Sequence, residues 1–507
     1  RAVTDPAQYP SAVEAALRSL RTVSLTVDPS DLFDLDSGIF VNATEEGDAW
    51  ERPVTIEFFQ KDGTLAFQKN AGIRIHGLSS RRLNLNPKLG FRILFRSKYG
   101  QKRLRYPIFG QERKTGFDAL LLRNITQDSW VTRGYPDLAP PHYIRDQFAR
   151  ETQRTMGHPA IKAEFVHLYL NGLYWGIYSL GERIDGTFVS DRLGGAASDV
   201  DIVKHGTIDQ GTRDVWDRLD DLSLMKDDLD AYTEIERWVD LDNLIDYVLI
   251  NQFVDNLDWF SVNSIAARPR KNEGKFVFFI YDAETSFGAR KPELDYLDFA
   301  RVGRKFGFAF SPMALFHRLQ YHPEFQVRVA DRIQHHYFNG GALTVEKARH
   351  RWNELAQTLD VAMVAESARW GDANDSGITR TREADWLPAI ARVSETFFPE
   401  RTALLMNHYR AEEFHLPVKV PALSPHGGRV LPNAEVTLTS NETDIFFTLD
   451  GSDPRAPGGA VREPNARLYD GPIAVQQACV LKARARDGAE WSALITAEFQ
   501  ITPAKDR

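Results

Sequence analysis

Cysteine is almost missing from this chain: Cys479 stands alone in 507 residues, so neither an intrachain disulfide framework nor a thiolate zinc site can form. Long apolar runs are missing too. No stretch reaches the roughly 18 residues needed to cross a bilayer, and no charged-then-apolar signal segment opens the chain. The chain begins at Arg1 without a methionine, which suits a product from which a leading export segment has been removed. An excess of positive charge is also lacking: 62 Lys and Arg against 70 Asp and Glu give a formal charge of -8, so there is no electrostatic basis for binding nucleic acid or an anionic membrane. The basic run RSKYGQKRLRY at 96–106 is local and reads as a solvated hairpin face. His76, His142, His158, His167 and His205 show no metal-ligand spacing such as HExxH, and none is assigned to a metal.

What is present is globular. Hydrophobic residues make up 43% of the chain and aromatics 11%, and the length exceeds one ordinary core, so two or three domains are expected. Residues 1–21 carry a short amphipathic helix, AVEAALRSL. Alternating segments such as TVSLTV, PVTIEFF, AGIRIHG and GFRILF then predict strands. After the buried-looking strand FDALLLRN, the segment HYIRDQFARETQRTMG has a helical period. Two alternating strands meeting at Asn171-Gly172 predict a hairpin. Amphipathic helices dominate from there to about residue 410, and the proline- and glycine-marked stretch FHLPVKVPALSPHGG separates them from short strands with Asn, Asp and Gly turns.

Two short stretches hold the strongest functional signal. DNLDWFSVN at 255–263 places Asp258 and Asn263 five positions apart, the spacing at which protein-kinase catalytic loops present a proton-accepting Asp and a metal-holding Asn. In FFIYDAETSFG at 278–288 an apolar run ends abruptly in Asp282 and Glu284, and paired hard oxygens at a strand end suit Mg2+. Taken singly, such acids are ordinarily caps and turn residues. Asp255 competes with Asp258, but the spacing to Asn263 favours Asp258.

The running order is β-rich lobe, helix, hairpin, helical lobe, Asp258/Asn263 loop, strand pair, Asp282. Six blocks in this order, GIRIHGLSSR with Lys88 and FRILF, LLRN with Asp128 and Ser129, RDQFARETQRTMG, LYLNGLYWGIYSLGERID, NLDWFSVN and YDAETSFG, resemble the CotH family of spore-coat-type atypical kinases over about residues 22–400. The resemblance implies an α+β, bilobal, atypical protein-kinase-like fold, with a β-rich N-lobe at about 22–182 and a mainly helical C-lobe at about 183–410. It implies ATP and Mg2+, with Mn2+ as the alternative cation, and transfer to protein Ser or Thr hydroxyls. Asp258 becomes the catalytic carboxylate, with Asn263 and Asp282 as metal ligands. Glu284 stands where relatives more often show a second Asp. The sequence departs from ordinary kinases in having Asn256-Leu257 before Asp258 and DAETSFG in place of DFG.

Nucleotide contacts are expected in the first lobe. Gly77, Ser79, Ser80 and Arg81 belong to a stretch able to curl over phosphates, although it is neither GxGxxG nor a Walker A motif. Lys88 is the candidate for the α/β-phosphates, with Arg92 and Arg74 as alternatives on a definable strand face. On the kinase plan Lys88 needs a carboxylate from the following helix, where Asp146 is preferred over Glu151. Glu182 matches the lobe junction where adenine sits, and a salt bridge is its competing role. Tyr174, Trp175 and Tyr178 read as hairpin packing.

Residues 411–420 form a linker, and 421–507 read as a small C-terminal β-sandwich. The TLDGSDP turn makes this segment resemble the chitobiase/β-hexosaminidase C-terminal β-domain, which implies a secreted or cell-surface bacterial setting and contacts with surface carbohydrate or protein. Asp450 and Asp453 could offer oxygens to Ca2+, but a tight turn explains them without metal. Two alternatives to a protein kinase stay open. One is a non-catalytic surface or adhesion protein with a structural ion; the other is a kinase-fold enzyme moving AMP or glutamate.

Overall fold

The computed structural model describes residues 12–110, 116–131, 140–225, 228–260, 262–288, 297, 310–374, 377–411, 414, 416–441 and 444–502. The first eleven residues of the expected N-terminal extension lie outside these; its helix, Ala12–Leu17, packs through Ala16 on Val364 and Ala365.

The β-rich first half is a closed barrel, which the sequence reading did not anticipate. Strands β1 (Arg21–Thr26), β2 (Arg52–Phe59), β3 (Leu65–His76), β4 (Gly90–Leu94), β5 (Ala119–Arg123), β6 (Ala163–Leu170) and β7 (Leu173–Glu182) close in the order β1-β2-β3-β4-β5-β7-β6. Closure comes from parallel pairing of β1 with β6, Thr22 opposite His167 and Leu25 opposite Leu170, a contact with no local signature. The β6–β7 hairpin turns where expected, with positive φ at Asn171 (49°) and Gly172 (80°), as a two-residue hairpin loop requires. The Asn171 side chain also accepts from Val27 N at 2.8 Å and donates to Val27 O at 2.9 Å, so the turn pins the end of β1.

Strand alternation sorts the barrel's side chains into two sets. Ile73, Ile75, Phe91, Ile93, Leu120, Leu122 and Leu180 fill the barrel core. The registers Arg74↔Arg92↔Leu121 and Phe91↔Leu122 put Arg74, His76, Arg92 and Arg123 together on the opposite face of three neighbouring strands.

The second half is mainly helical, as expected. The helices Leu241–Phe253, Pro312–Leu319, Pro323–Tyr337, Val345–Leu359 and Phe398–Ala411 share one large core that includes Leu244, Val248, Leu315, Phe325, Trp352 and Phe398. A four-stranded sheet, β11-β10-β8-β9, accompanies them, built from β8 (Val200–Lys204), β9 (Thr207–Gln210), β10 (Ile265–Pro269) and β11 (Val277–Phe279).

In the C-terminal region a three-stranded and a six-stranded sheet share the core of Val436, Leu438, Val475, Leu481, Ala483 and Phe499, the two-layer arrangement expected. This region is fixed to the Pro323–Tyr337 helix. Arg484, buried, donates from Nη1 to Asp331 at 2.8 Å and from Nη2 to Asp331 and Asp453 at 2.5 and 2.7 Å. Arg455 reaches Glu324 through two 2.7 Å bonds. Asp453 of the TLDGSDP turn thus serves this attachment, while Asp450 accepts from Ser452 N at 2.9 Å and Asn465 Nδ2 at 2.7 Å.

Candidate active site

The Leu241–Phe253 helix starts at Asp240, whose side chain caps Asn243 N at 3.0 Å, and it is buried along almost its whole length. Its exit delivers the loop carrying Asp258. Two backbone bonds, Leu257 N to Thr285 O at 3.0 Å and Phe287 N to Val254 O at 2.7 Å, zip this loop to the second acidic stretch. Asn256 shapes it from within, donating to Asn251 Oδ1 at 2.8 Å and accepting from Asp258 N at 3.2 Å. Val262 N and Asn263 N both donate to Asp258 O at 3.3 Å, so the five-residue spacing corresponds to one closed turn. Asn263 Nδ2 then donates to Asp282 O at 3.2 Å, which brings the two stretches into contact.

Two buried amides aim the second stretch. Asn243 accepts from Phe278 N at 2.6 Å, and Gln153 of the Arg145–Thr155 helix bonds Phe278 O at 2.7 Å and Ile280 N at 3.0 Å. The chain turns sharply just beyond, with Asp282 at φ 58°, the left-handed region that non-glycine residues occupy sparingly and often at functional sites.

Arg123, the last residue of β5, meets these acids from the barrel side. Its Nη2 donates to Asp282 and, at 2.8 Å, to Glu284 Oε1, while Nε lies 4.0 Å from Asp146 Oδ2 and the guanidinium sits 5.0 Å from the Tyr281 ring centre. Asp146 in turn accepts from Ala283 N at 3.1 Å and pairs with Arg150 at 2.8 Å. The pairing of Lys88 with Asp146 is therefore corrected. Lys88 is 0% exposed and bonds Glu366 Oε1 at 2.6 Å and Ile177 O at 2.7 Å. It precedes β4 and lies 5.0 Å from the ring of Tyr178, a barrel-core residue, whereas the strand that leads into the Asp146 helix is β5. Sequence reasoning missed both Arg123 and Glu366. A signal for Arg123 was present: FDALLLRN is an apolar strand that ends in a cation.

Glu284 is only 4% exposed. Besides Arg123 it accepts from Gln127 N at 2.9 Å, and its carbonyl accepts from Arg145 Nη1 at 3.0 Å. Burial pushes its carboxyl up to about 7, against the pull of Arg123. Asp282 keeps its side chain 34% exposed. Glu182 is buried in a salt bridge, with both oxygens 2.9 Å from Arg192 Nη2 and Oε2 also accepting from Lys162 N.

The Gly77–Arg81 segment joins β3 to β4. Gly77 has φ 124°, and a Cβ there would stand 1.9 Å from Ser80 Oγ, so only glycine fits. Ser79–Arg81 makes a single tight turn. Arg81 stitches the loop to its surroundings through the carbonyls of Gly77 at 2.7 Å, Ile75 at 2.8 Å and Glu45 at 2.9 Å. The structure therefore brings Asp146, Asp282 and Glu284 around Arg123, ties Asn263 to the Asp282 main chain with Asp258 one turn away, and leaves Lys88 and Glu182 in separate buried pairs.

Residues 73–395 match the family model described as CotH kinase protein, and residues 436–499 match the one described as Fn3 associated. The C-terminal match thus bears a different description from the chitobiase-type resemblance. No curated protein matches the chain. The CotH match covers more than half of the chain and includes every residue gathered around Arg123, and on that ground the chain belongs to the CotH kinase protein family.

Proposed function

We propose that this chain transfers the γ-phosphoryl group of ATP to Ser or Thr hydroxyls of a protein, outside the cell or at its surface. The observation that carries this reading is the contact of Asn263 with Asp282, held against Arg123. The residues fit a hard divalent cation. Asp282 offers a carboxylate, and Asn263, whose amide nitrogen bonds the Asp282 main-chain carbonyl, offers an amide oxygen from the adjoining loop, the sparse protein contribution that Mg2+ takes when phosphates and water provide the rest; Mn2+ suits the same set. When bound, the cation neutralises charge on the phosphate oxygens.

The chain's own groups do the remaining work. Arg123 is a fixed guanidinium that binds phosphate oxygens in place of the lysine expected from ordinary kinases. Asp146 and Glu284 hold it in position, and we assign Glu284 this role instead of metal ligation, because its oxygens are already engaged. Asp258 orients the acceptor hydroxyl and takes its proton. Gly77, Ser79 and Ser80 cover the phosphates with backbone N–H groups and hydroxyls.

The test is transfer of labelled γ-phosphate from ATP to protein with Mg2+ or Mn2+, together with the mass of the product. Activity that is lost in both Asp282→Ala and Asp258→Asn supports the reading. Absence of both transfer and metal-dependent ATP binding in the intact chain overturns it in favour of a non-catalytic surface protein, and an added mass of AMP or glutamate overturns the phosphoryl assignment.

A further inference from the structure

Arg92 points to a second binding site. It lies on the same sheet face as Arg123, opposite Leu121 on the neighbouring strand, so the two arginines are diagonal neighbours with backbones about 7–8 Å apart. Arg123 pairs with Asp282 and Glu284 through Nη2 and faces Asp146 through Nε. Arg92 has no ion pair among the described residues, and its Nε is buried without a hydrogen-bond partner. Buried donors are rarely left unsatisfied in native proteins, and a missing ligand is a usual reason.

A cavity of about 530 Å3 opens at this point, lined by Arg92, Arg96, Lys102, Arg103 and Arg183. The lining carboxylates are Asp118 and Asp185, and both are already engaged. Asp118 accepts from Arg103 Nε at 2.6 Å and from Thr187 Oγ1 at 2.7 Å, and Asp185 caps Phe188 N at 3.0 Å. Of the apolar lining residues, Leu94, Phe95 and Ala119 are buried and Ala197 is half-buried, so the cavity offers little surface to a nucleobase. Burial and the neighbouring Arg183 and Arg74 lower the Arg92 guanidinium to about 10, a shift that an anion beside it would oppose.

We propose that this cavity binds a chain of two or more phosphate groups, with Arg92 at its centre, without help from a metal ion. The ligand's phosphates could belong to the nucleotide's own tail or to a separately phosphorylated substrate. The proposal does not depend on phosphoryl transfer, because binding is read without metal or nucleotide.

The probe is sodium tripolyphosphate, titrated calorimetrically into the intact chain in EDTA. Saturable binding is expected, weakened at least tenfold by Arg92→Met and several-fold by Lys102→Ala, whose exposed position leaves folding unaffected; unfolding midpoints check both variants. Competition with ATP and Mg2+ would mark the nucleotide tail as the natural occupant, and simultaneous binding would mark a phosphorylated substrate; either supports the site. No binding in EDTA, or equal affinity in wild type, Arg92→Met and Lys102→Ala, overturns it. So does loss of binding in Asp282→Asn alone, which would place the probe at the metal site.

Discussion

Glu284 Oε1 accepts a 2.8 Å hydrogen bond from Arg123 Nη2 in a buried setting where its carboxyl is raised from 4.5 to about 7. A raised carboxyl binds its proton more tightly in the folded chain than in the unfolded one. Stability from this group is therefore full below about 4.5 and declines as pH rises toward about 7. We expect Glu284→Gln to flatten the stability profile across that window, by at most about 3 kcal/mol, as measured by urea unfolding at a series of pH values.

In the proposed site Arg123 takes the role of the expected lysine; its Nη2 serves both Asp282 and Glu284, while Nε faces Asp146 at 4.0 Å. A lysine is a point charge on one nitrogen and cannot face Asp146 at the same time. Arg123→Ala is expected to lower kcat/KM for phosphoryl transfer by roughly 100-fold or more, and Arg123→Lys to recover only part of it. Steady-state kinetics against ATP concentration checks both.

Lys88 and Glu366 form a fully buried pair. Removing one partner strands a charge in the interior, at a cost of about 3–5 kcal/mol, whereas replacing both by apolar residues of similar volume is far milder. Lys88→Met should therefore lower the denaturant midpoint sharply, and Lys88→Met combined with Glu366→Leu should recover much of the loss. A phosphate-binding lysine would behave differently, with nucleotide affinity falling equally in the single and double variants.

Arg484 is the shared partner of Asp331 and Asp453 across two domains. Arg484→Ala leaves both acids without their cation and is expected to cost about 3 kcal/mol or more. Scanning calorimetry is expected to show one thermal transition for the parent chain and two for this variant.

The candidate site was legible where function writes a local pattern. The Asp258 to Asn263 interval and the strand end at Asp282 could be read because each is a few residues long. The partners of Lys88 and Arg123 could not, because they depend on which strand leads into the Asp146 helix and on Glu366, 278 positions from Lys88. The second sheet pairing of β1 was hidden for the same reason: Leu25 carries no mark of its neighbour Leu170. Alternation put Arg92 and Arg74 each on a definable face of its strand; that they share one face comes from the register.

Among the described residues, pairing of β1 with β6 leaves the barrel with no unpaired strand border. A partner polypeptide therefore has no backbone hydrogen-bonding row on which to add itself as an extra strand, a common means of capturing extended peptides. Whatever chain approaches the barrel must be recognised through side chains and loops, so its capture depends on residue identity more than on an extended backbone.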